Sequence, residues 1–92
     1  MGDLVIEPKL TKEQFANSGI FEITMNFAAK KFSVRYINKS KVDYEKYMIS
    51  KITLNDTIVL DKKTKAAIIK KEDILSNAID GVNILEIILE AK

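Results

Sequence analysis

Ninety-two residues form one domain at most, and a chain of this length buries only about 60–65% of its unfolded surface. The chain has no cysteine and no histidine, which excludes disulfides, thiolate metal sites and histidine-based acid–base catalysis. Its formal net charge is only +2, and every basic residue except Arg35 is a lysine, which argues against nucleic-acid recognition because arginine forks dominate there. We therefore expect a single domain over residues 1–92 that binds no nucleic acid and needs no cofactor.

The N-terminal part of the chain predicts two short elements. A β-prone run at residues 3–7 (DLVIE) is followed by Pro8, which cannot donate to a sheet ladder and so ends the strand. Thr11 precedes Gln14 by three residues, the spacing of a capping box, and this predicts one helical turn at residues 11–16. No basic segment precedes an apolar run here, so we expect no signal peptide, a cytoplasmic protein and no membrane contact.

The stretch from Phe21 to Asn38 (FEITMNFAAKKFSVRYIN) dominates the sequence. Apolar residues alternate with polar ones in two runs separated by a short AAKK link. A period of two indicates strands with one buried face, and two such runs with a short link predict an antiparallel hairpin. The residues predicted to point inward are Phe21, Ile23, Met25, Phe27, Phe32, Val34 and Tyr36.

A second hairpin is predicted further along. Residues 47–54 (YMISKITL) form a long β-prone run, in which simple alternation places Met48, Ser50, Ile52 and Leu54 on one face. Asn55 and Asp56 then separate this run from residues 57–60, and two such residues between apolar runs are typical of a tight turn. Residues 66–70 fit either a further strand or the approach to a helix.

The C-terminal part predicts a helix and a final strand. Apolar residues recur at three- and four-residue spacing in residues 72–79, and Gly81 suits the C-terminal end of that helix. In residues 82–90 (VNILEIILE) alternation points Leu85, Ile87 and Leu89 inward. Six or seven short strands with turns every 8–12 residues predict an all-β fold, an antiparallel, jelly-roll-like β-sandwich with one or two short helical turns.

Two pairs of acids are the only candidates for acid–base chemistry. They are Asp43 with Glu45, and Glu72 with Asp73. A glycosidase holds two carboxylates about 5–10 Å apart in a cleft and raises the pKa of one of them, which requires burial. The pattern around both pairs instead indicates a solvated loop and the acidic first turn of a helix. We therefore predict no catalytic residue, no metal ligand and no enzymatic activity of this chain.

Aromatic residues offer a candidate ligand site. Tyr36 is in phase with the predicted core, whereas Tyr44 and Tyr47 lie among lysines outside that alternation. Exposed aromatic rings can stack on ligands, so Tyr44 and Tyr47 are the candidate carbohydrate-stacking residues.

Several isoleucines fall on the nominally polar side of the predicted strands. Isolated exposed apolar residues are ordinary, but a cluster of them marks an interaction surface. We expect some of the candidate interface residues to lie in one surface patch, which a second copy covers: Ile20, Ile37, Ile49, Ile84 and Ile88.

Three motifs resemble the C-terminal β-sandwich of glycoside phosphorylases of the cellobiose phosphorylase and cyclic β-1,2-glucan synthase type. Residues 3–10 (DLVIEPKL) are similar to the DLxIxPxLP stretch of that family, and residues 21–38 are similar to its FxIxMxFxxKxFxVxYxN hairpin. Residues 52–56 (ITLND) resemble its ITLNG turn, and the stretches 68–74 and 83–87 follow in the same order. The chain departs from the pattern at Asp56, where the family has Gly, and at Thr11, where it often has Pro.

The resemblance implies a role without implying an active site. In that family the general-acid aspartate and the phosphate-binding residues belong to an (α/α) helical barrel that precedes the sandwich, and no residue here corresponds to them. What the resemblance implies is a non-catalytic accessory domain, without its catalytic barrel, that packs on such a barrel or on a second copy of itself. A stand-alone carbohydrate-binding module that uses Tyr44 and Tyr47 is the alternative.

Overall fold

The computed structural model describes residues 3–15, 19–27, 29–38, 41–43 and 46–91. The fold is mostly β, as the sequence predicts, with one short helix and one 3-10 turn at Lys12–Gln14. In chain order the elements are β1 (Leu4–Ile6), β2 (Ile20–Phe27), β3 (Lys30–Asn38), β4 (Tyr47–Leu54), β5 (Thr57–Leu60), β6 (Ala67–Ile69), α1 (Lys71–Asn77) and β7 (Val82–Ala91).

The strands form two sheets. Five of them make a sheet in the order β2-β3-β7-β4-β5, and β1 pairs with β6 in a second, smaller sheet. Apolar side chains of the small sheet, of Phe15 after the 3-10 turn and of Ile74 in α1 pack on one side of the large sheet, which gives a single core. This two-layer arrangement confirms the all-β, sandwich-like fold.

One strand pairing differs from the expected antiparallel pattern. The described pairs are antiparallel except β3 with β7, which are parallel neighbours at the centre of the large sheet. Parallel neighbours need a long connection, and here β4, β5, β6 and α1 lie between the two strands in the chain. Alternation within a strand does not specify this direction.

The predicted hairpin at residues 21–38 is confirmed. Phe21 pairs with Tyr36, Ile23 with Val34, and Met25 with Phe32. At its open end the Asn38 N–H donates to the Gly19 carbonyl at 2.7 Å. Gly19 has φ +78°, and a Cβ there would lie 2.6 Å from the Asn38 oxygen, so this position requires glycine.

The inner face of the hairpin is only partly buried. Phe27, Phe32 and Val34 are buried, as predicted, and Phe32 meets the Phe27 ring edge-on at a centroid distance of 6.3 Å. Ile23 is 50% exposed, so its predicted burial is wrong, although it lies on the predicted side of the sheet. The reason is the limited width of the second layer, which covers the central strands and leaves β2 at the margin.

A β-bulge at Ser50 corrects the predicted face of β4. Ile49 pairs with Leu89 and Lys51 with Ile88, so Ser50 is the extra residue on its strand. The bulge shifts the alternation, and Tyr47 and Ile49 therefore point into the core together with Ile52 and Leu54. The prediction that Met48 shares the inner face and that Ile49 lies outside is wrong: Ile49 is 0% exposed.

Local signals in the turns are borne out. The Thr11 N–H donates to Gln14 Oε1 at 2.9 Å, which is the reciprocal bond of a capping box. Asn55 and Asp56 have φ values of 50° and 71°, and two positive values in succession characterise the primed turn of a tight hairpin. The alternatives for residues 66–70 resolve to a strand, β6.

The helix is shorter than predicted. α1 ends at Asn77, and Ala78 already has an extended backbone, so Gly81 is not its C-terminal cap. Ile74 is 1% exposed and packs in the core, whereas Leu75 and Ile79 are exposed. The Asn77 carbonyl accepts a bond from the Asn55 amide at 2.9 Å, so a side chain from the β4–β5 turn satisfies the helix end.

Candidate binding surface on the five-stranded sheet

The large sheet has an outer face that no other described element covers. Because paired residues lie side by side, the strand registers order this face into lines that run across the sheet. One line joins Ile20, Ile37 and Ile88 across β2, β3 and β7. The next line, two residues along, joins Glu22, Arg35 and Glu86.

Arg35, the single arginine of the chain, lies at the centre of the charged line. Its Nε contacts Glu22 Oε2 at 2.6 Å, and its Nη1 lies 3.9 Å from Glu86 Oε2. Ser33 Oγ donates to the same Glu22 oxygen at 2.7 Å. The guanidinium thus lies between two carboxylates, hydrogen-bonded to Glu22 and in a longer ion pair with Glu86.

These contacts change the acidity of Glu22. The hydrogen bond from Arg35, followed by that from Ser33, lowers the pKa of Glu22 below its ordinary value of 4.5. The same pairing raises the pKa of Arg35. Both groups keep their charges at neutral pH, so the surface presents a fixed ion pair beside an apolar line.

The predicted interface isoleucines divide into three groups. Ile20, Ile37 and Ile88 are in register, with Ile20 40% exposed and the other two half-buried. Ile84 is on the same face but four residues from Ile88, roughly 13 Å away, and the charged line separates them. Ile49 does not belong to this surface because the bulge turns it into the core.

The candidate stacking tyrosines do not form a site in the described residues. Tyr47 is 5% exposed, meets the Phe15 ring edge-on at a centroid distance of 6.3 Å, and donates its hydroxyl to the Leu10 carbonyl at 2.7 Å. Its assignment as an exposed stacking residue is therefore wrong, because the bulge directs it inward. Tyr44 lies outside the described residues.

The structure places one of the two candidate acid pairs where the sequence predicts it. Glu72 and Asp73 are exposed in the first turn of α1, and Asp43 is half-buried in the segment before β4, while Glu45 lies outside the described residues. Within the part of the chain that the structure describes, no group of three acidic side chains is arranged to hold a metal ion. A shallow depression of about 490 Å³ lies where residues 29–31 face residues 79–82, and Lys30 bonds Asp80 across it at 3.2 Å.

Buried asparagines are the polar feature that sequence analysis missed. Asn83 is 0% exposed and lies in phase with Leu85 and Ile87 on the inner face of β7. Its Oδ1 accepts from the Ile79 N–H at 2.7 Å and from Asn55 Nδ2 at 2.9 Å, while its Nδ2 donates to the Lys31 carbonyl at 3.0 Å. The sequence signal for this feature is an asparagine in phase with the inward apolar residues of a strand, because a buried amide needs hydrogen-bond partners.

Comparisons with known proteins do not assign this chain to a family. No protein-family model matches the chain, and no curated protein is significantly similar to it. In the described residues, no helix has the length and apolar character needed to cross a membrane.

Proposed function

We propose that this chain is a non-catalytic accessory domain, related to the C-terminal sandwich of glycoside phosphorylases, and that it packs through the outer face of its large sheet on a catalytic helical barrel. The observation that supports this is the line of Ile20, Ile37 and Ile88, which runs in register beside the Arg35 ion pairs. An apolar line bordered by oriented charges combines the burial and the geometric specificity that a protein interface needs. A cytoplasmic location belongs to the same proposal, supported by the absence of cysteine.

The genetic context of the chain tests this proposal first. An (α/α) barrel should be encoded in the same reading frame or in a neighbouring gene, and the chain should co-purify when it is co-expressed with that barrel. If neither the reading frame nor the neighbouring genes encode such a barrel, the proposed function is wrong.

A pair of double variants then tests the surface. Ile37→Thr with Ile88→Thr keeps β-branched residues on the strands but removes apolar area from the outer face, and we expect co-purification to fall about tenfold. Val5→Thr with Ile68→Thr is the matched control, because these residues form a cross-strand pair on the small sheet and are 64% and 65% exposed. Equal losses in the two double variants would contradict the assignment of the interface.

Activity measurements address the non-catalytic character. The purified chain, incubated with inorganic phosphate and β-glucosides, should release no glucose 1-phosphate above a buffer blank. The alternative, a carbohydrate-binding module, now depends on Tyr44 alone among its candidate residues, since Tyr47 is buried. It predicts that oligosaccharide raises the Tm of the wild-type chain and that Tyr44→Ala abolishes this increase.

A further inference from the structure

Strand β2 is one edge of the large sheet, and no described strand pairs with its free side. It runs for eight residues, pairs without irregularity to β3, and contains neither proline nor lysine. The opposite edge strand, β5, has four residues and a register shift, and the charged residues Asp61, Lys62 and Lys63 follow it. Short length, bulges and charges on or beside the strand are the usual protections of an edge. β2 is long and pairs with β3 without a bulge, and its one charged residue, Glu22, is held in an ion pair with Arg35 on the outer face. The lysines that follow the turn, Lys30 and Lys31, belong to β3 and so lie away from the free edge.

The hydrogen bonds of the hairpin show which backbone groups of β2 point away from β3. Gly19 accepts a bond from the Asn38 N–H, so these two residues form a hydrogen-bonded pair. In an antiparallel ladder such pairs alternate with pairs whose N–H and C=O groups point outward. The residues of β2 with outward-pointing groups are therefore Ile20, Glu22, Thr24 and Asn26.

The inner side of the same strand carries uncovered apolar residues. Ile23 is 50% exposed although its cross-strand partner Val34 is only 3% exposed. Phe21 and Met25, on either side of Ile23, are half-buried. A further strand beside β2 would satisfy the outward backbone groups and would cover this apolar strip at the same time.

We propose that the strand added beside β2 is β2 of a second copy, paired antiparallel about a two-fold axis at Ile23. In this register Ile23 faces its own counterpart and Phe21 faces Met25 of the other copy, so the exposed apolar residues bury one another. Glu22 faces Thr24 and Ile20 faces Asn26, so all four outward residues form hydrogen-bonded pairs with two backbone bonds each. The interface is isologous and closed, and the two large sheets become one continuous sheet.

The charge of Glu22 and the length of overlap between the two strands favour an axis at Ile23 over an axis at Glu22 or Thr24. A two-fold axis at Glu22 would place the two Glu22 carboxylates directly opposite each other, which is destabilising. An axis at Thr24 would place Ile20 of one copy opposite a residue beyond the end of β2 in the other copy. Fewer hydrogen-bonded pairs could then form than with the axis at Ile23. The axis at Ile23 overlaps the strand along its full length and opposes no like charges.

This dimer does not depend on the proposed packing on a barrel. The dimer uses the edge of the large sheet and the inner side of β2, whereas the barrel is proposed to contact the outer face. The Ile37 and Ile88 double variant should leave the dimer intact, and variants of Ile23 should leave the outer face intact.

Single cysteines test the register, and the chain is suited to this because it has no native cysteine. In the proposed dimer, residue 23 of each copy forms a non-hydrogen-bonded pair with a Cα–Cα distance of about 4.5 Å. The two thiols of the Ile23→Cys variant therefore lie within the range of a disulfide. Under mild oxidation we expect this variant to form a covalent dimer at least about tenfold faster than Glu22→Cys or Thr24→Cys, whose thiols face a different residue of the other copy. Equal or faster cross-linking of Thr24→Cys would overturn the proposed register.

Sedimentation equilibrium of the wild-type chain tests the dimer itself. Wild type should associate reversibly, and Ile23→Lys should weaken association by about tenfold or more because it opposes two like charges across the axis. Ile58→Lys is the matched control, since Ile58 is 54% exposed on the other edge strand, and it should associate as wild type does. A wild-type chain that stays monomeric at millimolar concentration, or equal weakening by both lysines, would overturn the inference.

Discussion

At the scale of single residues, two fully buried asparagines hold neighbouring segments of the chain together through hydrogen bonds. Asn83 joins the end of β7 to the loop at Ile79, to the β4–β5 turn at Asn55 and to the backbone of β3 at Lys31. The Asn38 side chain bonds both the N–H and the C=O of Val42, four residues later in the chain. Both asparagines are 0% exposed, and these bonds give their buried amide groups hydrogen-bond partners, so these two positions are more constrained than their neighbours.

The charged line on the outer face gives a pH-dependent prediction. Hydrogen bonds hold the folded-state pKa of Glu22 below its ordinary value of 4.5, so the contribution of Glu22 to stability is present above that value. It is lost as the pH falls through the lower folded-state pKa. Wild type should therefore have a higher Tm than Glu22→Gln near neutral pH, and the difference should close as the pH is lowered below 4.5.

Thermal unfolding of both proteins between about pH 7 and pH 3 checks this prediction. Glu22 is well exposed, so the difference in Tm should be small and should diminish with added salt. A constant difference over the whole range would show that the carboxylate charge has no part in it.

At the scale of elements, the bulge in β4 decides which isoleucine is structural. Because no residue of β7 lies opposite Ser50 in the strand register, Ile49 turns inward and becomes fully buried, whereas Ile37 stays on the half-buried outer face of β3. Isoleucine is therefore a core residue in β4 and an outer-face residue in β3 of the same sheet.

We predict that Ile49→Ala lowers the free energy of unfolding by about 2–5 kcal/mol, because it leaves a cavity in the core. Ile37→Ala, the matched change on the outer face, should cost about 1 kcal/mol or less. Urea unfolding at low protein concentration measures both values. Comparable costs would mean that β4 has no bulge at Ser50 and that simple alternation holds.

At the scale of the whole molecule, the width of the second layer determines which part of the large sheet becomes core. The small sheet, Phe15 and α1 bury the inner side of β3, β7 and β4 but leave Ile23 in the middle of β2 uncovered. The described second layer consists of a two-stranded sheet and a seven-residue helix, which is narrower than the five strands beneath it. The uncovered margin at β2 is what makes the proposed dimer favourable.

Substitution of two phenylalanines on the inner face tests this difference in coverage by the second layer. Phe32 is 2% exposed beneath the second layer, and Phe32→Ala should cost about 3–5 kcal/mol, a large part of the stability of a small domain. Phe21 is half-buried at the margin, and Phe21→Ala should cost roughly half as much or less. The comparison requires dilute protein, so that association through β2 does not contribute, and equal costs would contradict the limited width of the layer.

The sequence by itself determined the features that depend on neighbouring residues. Alternation located β2, β3 and β7, Asn55 and Asp56 specified the tight turn, and the Thr11–Gln14 spacing specified the capping box. These signals are local: a strand period, a turn and a cap each involve residues close together in the chain, so they can be predicted from one sequence.

Only the tertiary structure decided the features that depend on distant segments. The parallel pairing of β3 with β7, the bulge that turns Tyr47 and Ile49 inward, and the exposure of Ile23 all arise from what lies beside or above a strand. A pattern of period two specifies that a strand has two faces, but it does not specify how far the opposing layer extends or where an extra residue shifts the phase. For this reason Ile49 is not an interface residue and Tyr47 is not a ligand-stacking residue, since both are buried. For the same reason β2 is an edge strand with an exposed apolar strip, which alternation alone assigned to the core.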